Sequence, residues 1–314
     1  KKLGLAPTIV MMDAPQHTQF RRLISKGFTP RHVTRLEDAI RDFVVQRVER
    51  LIEAGEADLI ALLAGPVPTH VLALLMDIPE EDRCKFDPWS AAIVQASAEG
   101  QNVIQRAATA VMGLYQYFGG LIAQRREVPG DDLVSALAQA EIEGEQLTDM
   151  EILGFCFVMV AGGNDTSTGL IGGAAELLWR HPEQRTLLRE SPDLMKGAIE
   201  ELLRLTCPVQ GLCRSTTREV EVHGVRIPEG KKVQLLYGSG NVDEREYGSD
   251  ADQLDVTRKV ERQLSFSSGP HFCLGASLAR LQGKIALEEL IQRAPNFEVS
   301  PDRGMLAPGM FVRR

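Results

Sequence analysis

Phe266-Ser-Ser-Gly269-Pro-His271-Phe-Cys273-Leu-Gly275-Ala-Ser-Leu-Ala-Arg280 sets one cysteine among an aromatic residue and two glycines, with helical periodicity starting directly behind it. A helix N-terminus offers free N–H groups and a partial positive charge, which lower a thiol pKa and favour the thiolate. Glycines at Gly269 and Gly275 let backbone approach a flat ligand closely, because no side chain intervenes. For an isolated cysteine, burial beside a tight turn explains as much. The other residues of the loop have to decide between these readings.

Working outward, Thr148 and Glu151 have the spacing of a capping box, so a helix of roughly 30 residues should open there and run to His181-Pro182. In its middle lie Gly162-Gly163-Asn164-Asp165-Thr166-Ser167. Each interior glycine costs a helix about 1 kcal/mol relative to alanine, so close approach to a ligand face has to offset it. An acid beside an alcohol, Asp165 and Thr166, can relay protons; the same pair can also cap a break in the helix. Glu201 and Arg204 stand one helical turn apart, worth only ~0.3 kcal/mol if exposed. His17 and Arg21 share a helix face, and Arg214 lies downstream. Together they suit a buried anion, or else they are ordinary surface groups.

The chain has 314 residues, 44% hydrophobic and 25% charged, with a net charge of -8. That is enough for a large core, and the acidic balance argues against nucleic acid or an anionic membrane as the main partner. The most apolar run, Ile152 to Gly163, is too short to cross a bilayer, and neither a signal peptide nor a membrane anchor is visible. Five cysteines without a CxxC pair fit a reducing cytoplasm, and His271 with Cys273 lacks the second pair of a zinc site. Helical signals dominate from Pro15 to Leu205, with Pro15 and Pro30 in first turns and Gly55 as a stop. Residues 219–233 read as hairpins, 238–263 as irregular, 276–294 as helix and 297–314 as short strands.

Taken together, the cysteine segment resembles the haem-binding loop of the cytochrome P450 family, FxxGxHxCxG, at every defining position. Gly162 to Ser167 is similar to that family's oxygen-binding motif, although Gly162 stands where alanine is more usual. Glu201-Leu-Leu-Arg204 resembles its ExxR motif, and Arg258 the arginine completing a Glu-Arg-Arg cluster. Val242 replaces an arginine common in the Ala-Asn-Arg-Asp stretch. The resemblance runs from Asp13 to Phe297 and is nearest to actinobacterial members.

The resemblance implies a mainly α P450 fold in one domain over 1–314, with the family's N-terminal portion and extreme C-terminus falling outside the sequence. It implies haem b (iron protoporphyrin IX) ligated by Cys273. His271, His17, Arg21 and Arg214 would meet the propionates, Phe266, Gly269 and Gly275 would shape the loop, and Gly162 and Gly163 would face the ring. Asp165 and Thr166 would carry the catalytic protons. The implied activity is insertion of one atom of O2 into an apolar small molecule, with electrons from a ferredoxin or flavodoxin and its reductase. Arg280 and Lys284 are candidates for receiving that partner. A peroxide-driven peroxygenase or a non-catalytic haem sensor would share the cysteine.

Overall fold

The frame of the molecule is set by its longest apolar helix, in a computed structural model that describes residues 8–29, 33–94, 101–300 and 302–304. We number the principal helices α1 (Gln16–Ile24), α2 (Glu37–Ala54), α3 (Pro66–Leu75), α4 (Phe86–Val94), α5 (Gln101–Glu127), α6 (Leu133–Ala138), α7 (Asp149–Arg180), α8 (Pro182–Glu190), α9 (Met195–Thr206) and α10 (Ala276–Arg293). The capping box forms as its spacing predicts: Thr148 Oγ1 accepts from the Glu151 N–H at 3.3 Å, and Glu151 Oε2 accepts from the Thr148 N–H at 2.9 Å. The helix then runs unbroken for 32 residues to His181 and Pro182, roughly 48 Å at 1.5 Å per residue. Asp165 and Thr166 therefore do not cap a break.

Apolar residues recur along α7 on nearly every face, so it has to be surrounded. Its first half joins Leu114, Phe118 and Ile122 of α5 through Ile152, Phe155 and Val160. Its second half joins α8, α9 and α10 through Leu170, Ala174 and Leu178. Ile171 enters a third cluster, where Ile40, Val44 and Val48 of α2, spaced at i, i+4 and i+8, meet Val67 and Val71 of α3 and Ile285 of α10. Outside this cluster Arg41 of α2 bridges to Glu288 and Glu289 of α10 at 3.1 and 2.6 Å.

The β structure is small and antiparallel. Strands β1 (Glu141–Ile142) and β2 (Glu145–Gln146) turn through Glu143-Gly144, which no reading of the sequence singled out. Strands β3 (Gly211–Ser215) and β6 (Lys232–Leu236) pair from Gly211↔Leu236 to Ser215↔Lys232. Nested between them in sequence, β4 (Val220–Val222) and β5 (Val225–Ile227) form the expected hairpin, whose His223 and Gly224 both take positive φ, the form that matches strand twist in a two-residue loop. The stretch read as irregular contains two single helical turns, Tyr237–Gly240 and Glu244–Tyr247. Residues 297–300 carry no strand, and the rest of the expected terminal strands, like Pro30, lie largely outside the described residues. No helix among the described residues is long and apolar enough to cross a membrane.

Candidate functional site

The Cys273 loop is closed on itself before α10 begins. The Cys273 N–H donates to the Phe266 carbonyl at 2.9 Å and the Phe272 N–H to that of Gly269 at 3.0 Å. Ser267 and Gly269 both take positive φ to make the turn. Phe266 is buried, and the Arg280 guanidinium lies over its ring at 4.6 Å, held there by Glu200 at 2.5 and 2.9 Å. Leu274 packs on the cluster around the first half of α7, whereas Cys273 packs on the cluster around its second half. The loop thus sits where two cores adjoin.

The thiol does not behave as helix position alone predicts. Burial pushes the Cys273 pKa up, outweighing the Gly275 N–H and the positive fields of Arg21 and Arg280, which pull it down. The expected lowering is overturned because desolvation of a thiolate is the larger effect. Coordination to a cation would release that proton.

Beside the loop, cationic groups converge. The rings of His17 on α1 and His271 lie 4.2 Å apart, and Arg21 Nη2 donates to the Phe272 carbonyl at 2.6 Å. Both imidazoles are pulled below their ordinary pKa, by burial first and then by neighbouring positive charge: Arg21 on His17, and His17, Arg214 and Arg21 on His271, with Asp13 opposing at both. His17, Thr18, Arg21, Arg22, Ser25, Gly269 and Pro270 line an open cleft of about 340 Å³. Arg214 joins this set only through its field, since its side chain is exposed and donates to the Cys213 carbonyl at 3.0 Å.

The middle of α7 has a single opening. Gly162 is the one exposed residue between Met150 and Arg180, and Val158 and Thr166, one turn to either side, are half-buried. Thr166 Oγ1 donates to the Gly162 carbonyl at 2.7 Å, a back-bond that keeps the hydroxyl on this stripe. Asp165 is buried. A Cβ at Gly163 would lie in ordinary contact with Leu72 of α3, at 3.4 Å from Cδ2. The neighbouring polar groups are engaged elsewhere. Asn164 donates to Thr69 at 2.9 Å, Ser167 accepts from Gln282 at 2.7 Å, and Thr168 donates to the carbonyls of Ala64 and Asn164 at 3.1 Å each.

Behind the loop, Glu201 and Arg204 are both fully buried and paired at 2.7 Å, and Arg258 reaches Glu201 at 3.2 Å. Arg204 also donates to the carbonyls of Asn241 and Ala251, at 2.6 and 2.5 Å. Asn241, also fully buried, returns Nδ2 to the Arg204 carbonyl and to Ser265 Oγ and accepts from the Leu264 N–H. This network, whose hub Asn241 went unassigned in the sequence, pins α9 to the residues just before Phe266. Where Val242 stands, Asp243 pairs instead with Arg245 at 2.5 Å. Arg280 and Lys284 are engaged within the chain, the latter with Glu37 and Glu288.

A cysteine on a rigid loop, a cationic edge beside it and one opening in a buried helix form the donor set of a protein that holds a flat, dianionic, thiolate-ligated group, and haem fits it. Comparison with known proteins agrees. The profile of the family described as Cytochrome P450 matches residues 100–308. Cytochrome P450 130 of Mycobacterium tuberculosis is 49% identical over 310 residues, covering 98% of this chain and 76% of that protein. The steroid C26-monooxygenase of the same organism is 35% identical over 98% of this chain and 78% of its own length. The structure of the Bacillus subtilis bacillaene polyketide synthase cytochrome P450 PksS superposes with a TM-score of 0.92 at 33% identity, covering 98% of this chain and 79% of that one. The chain belongs to the cytochrome P450 family, with that family's mainly α fold and its haem-dependent monooxygenase class of activity.

Proposed function

We propose that this protein works in the cytoplasm as a monooxygenase that inserts one atom of O2 into an apolar small molecule. Electrons would come from a ferredoxin or flavodoxin with its reductase, and haem b would be ligated by Cys273. The observation that carries the reading is the Cys273 loop, fixed by its own hydrogen bonds beside a cationic edge. Haem b with a thiolate ligand supplies reductive activation of oxygen, favoured by electron donation from sulfur.

The chain's own residues do the rest. Arg21 offsets the charge of the carboxylate edge of the group and the neutral imidazoles of His17 and His271 donate hydrogen bonds to it, with Arg214 adding its field from the strand side. Phe266, Gly269 and Gly275 fix the height and approach of the loop. Gly162 leaves room on α7, with Gly163 beside it. Thr166 Oγ1 donates to the Gly162 carbonyl, so its lone pairs remain to accept a hydrogen bond from water and hold it at the opening, with Asp165 one residue behind as the acid that would supply the proton through that water. Apolar side chains such as Val158 exclude bulk water from the same space.

A steroid-sized substrate is supported by two named relatives: the M. tuberculosis steroid C26-monooxygenase, and a Bacillus megaterium P450 solved in complex with testosterone at TM-score 0.89 and 34% identity. The test is the spectrum of the reduced protein under carbon monoxide. Wild type should give the red-shifted Soret band of a thiolate-ligated haem and Cys273→Ser should lose it. An unchanged band in Cys273→Ser, lost instead in Cys207→Ser or Cys213→Ser, overturns the assignment.

A further inference from the structure

Ser267 stands in a backbone conformation that an L side chain disfavours. Its φ is 59°, in the left-handed region where Cβ crowds the following carbonyl oxygen. Two residues on, Gly269 takes φ 71° with no Cβ to crowd. Strain of this kind persists only where the surroundings hold it. The peptide joining Phe266 to Ser267 is engaged on both sides: its N–H donates to the Leu264 carbonyl at 2.8 Å, and its carbonyl accepts the Cys273 N–H at 2.9 Å. Relaxing φ at Ser267 would swing residues 268–273 relative to the very peptide that receives the Cys273 N–H. The serine side chain opposes that swing, because its Oγ is hydrogen-bonded to the Tyr237 hydroxyl at 2.9 Å. Tyr237 is buried, follows directly on β6 and accepts the Asn241 N–H at its own carbonyl at 2.9 Å, so its ring cannot follow a moving loop. Glycine at 267 would take this φ without strain but could not make the tie.

We propose that Tyr237 is a positioning residue for the ligating cysteine: through Ser267 it holds the left-handed turn of the loop and so keeps Cys273 in place as a bound thiolate. This rests on the haem-thiolate reading given above. Tyr237 lies 30 residues before Ser267 and belongs to the end of the β3–β6 sheet, so the tie couples the loop to that sheet independently of the Glu201–Arg204 network. With the tie cut, Ser267 can relax toward ordinary φ, the loop opens locally, and the sulfur is released more often to take up a proton from solvent.

The experiment follows the reduced, haem-loaded protein under carbon monoxide and times the decay of its red-shifted Soret band to the unshifted position, which marks loss of the thiolate from iron. Tyr237→Phe and Ser267→Ala should each hasten that decay about fivefold, the worth of one hydrogen bond. The double variant should decay no faster than either single one, because both remove the same contact. Ser267→Gly, which removes the strain together with the hydroxyl, should decay more slowly than Ser267→Ala, and adding Tyr237→Phe to it should change nothing. Haem content should match wild type throughout, and the melting temperature should fall by no more than about 3 °C. An unchanged decay in Tyr237→Phe, additive effects in the double variant, or a lowered melting temperature with unchanged decay would each overturn the proposal and leave Tyr237 an ordinary core residue. Should Tyr237→Phe load haem poorly, Ser267→Ala against Ser267→Gly still decides, equal rates overturning the proposal. Failure of the haem-thiolate reading is separable, because the wild type would then lack the red-shifted band altogether.

Discussion

The hydroxyl of Thr166 is set apart from its neighbours by where it points. Ser167 and Thr168 are buried and hydrogen-bonded to Gln282 and to the Ala64 carbonyl, so neither can substitute for it at the opening. Thr166→Ala should leave haem content unchanged while product per electron falls and hydrogen peroxide rises. As the acceptor of a hydrogen bond from an ordered water, the hydroxyl is worth about 0.5–1.5 kcal/mol, or roughly a 2- to 13-fold bias between the two outcomes. Thr166→Ser should restore coupling and Ser167→Ala should not disturb it, both read as product and peroxide per reductant consumed. If Ser167→Ala uncouples instead, the relay runs through the wrong hydroxyl.

A second residue acts at this scale without touching the site. His70 on α3 stacks on Phe43 at 4.0 Å and 3°, and its Nδ1 accepts from Arg83 Nη1 at 3.3 Å, since a guanidinium can only donate. Burial, followed by Arg83 and Arg47, lowers its pKa to about 4, with the Ala39 backbone contact opposing. The unfolded chain, with histidine near 6.5, therefore binds more protons between about pH 6.5 and 4. Stability is full above that window and is lost as pH falls through it, on the order of 2 kcal/mol from this group. Urea midpoints at pH 7 and pH 4.5 should converge less in wild type than in His70→Gln, whose acid-induced loss is smaller. Nothing in the sequence marked His70, because its partners are distant in the chain: Ala39, Phe43 and Arg47 on α2, and Arg83 in the turn Glu80–Lys85.

At the scale of elements, the consequence of the Glu201–Arg204 pair depends on burial that no sequence spacing can reveal. As an exposed i,i+3 pair it would matter little, yet both side chains are fully enclosed and joined to Arg258 and Asn241. Removing one partner leaves an uncompensated buried charge, costing about 3–5 kcal/mol. Glu201→Ala and Arg204→Ala should each come out haem-poor with lowered melting temperature, measured by the pyridine haemochrome assay and calorimetry, and full haem loading in both would reduce the cluster to a passive contact.

Local signals were readable at this scale and tertiary ones were not. The Thr148–Glu151 box, the span of α7 and the His223-Gly224 hairpin depend on neighbours in sequence. The pairing of β3 with β6 across an inserted hairpin, the role of Asn241 and the upward shift of the Cys273 thiol depend on what folds over them.

Across the whole molecule, α2 and α10 are tied over the third core cluster by Arg41, which meets Glu37, Glu288 and Glu289 at 3.3, 3.1 and 2.6 Å. Its pKa is raised against the opposing effect of burial by hydrogen bonds to these carboxylates. A networked, partly exposed arginine contributes more than an isolated surface pair. Arg41→Ala should therefore lower stability by about 1 kcal/mol, and raising salt should narrow the gap to wild type in denaturant melts. A gap that is absent at low salt would show the four side chains to be independent.

The same architecture bears on how such a scaffold diversifies. Because α7 is gripped by three separate clusters, nearly every side chain along it is committed to a neighbour and resists exchange. Gly162 alone between Met150 and Arg180 is exposed, with Val158 and Thr166 half-buried one turn to either side. Descendants of this chain can retune what they accept by rewriting that handful of letters, while the beam that carries them is inherited unchanged.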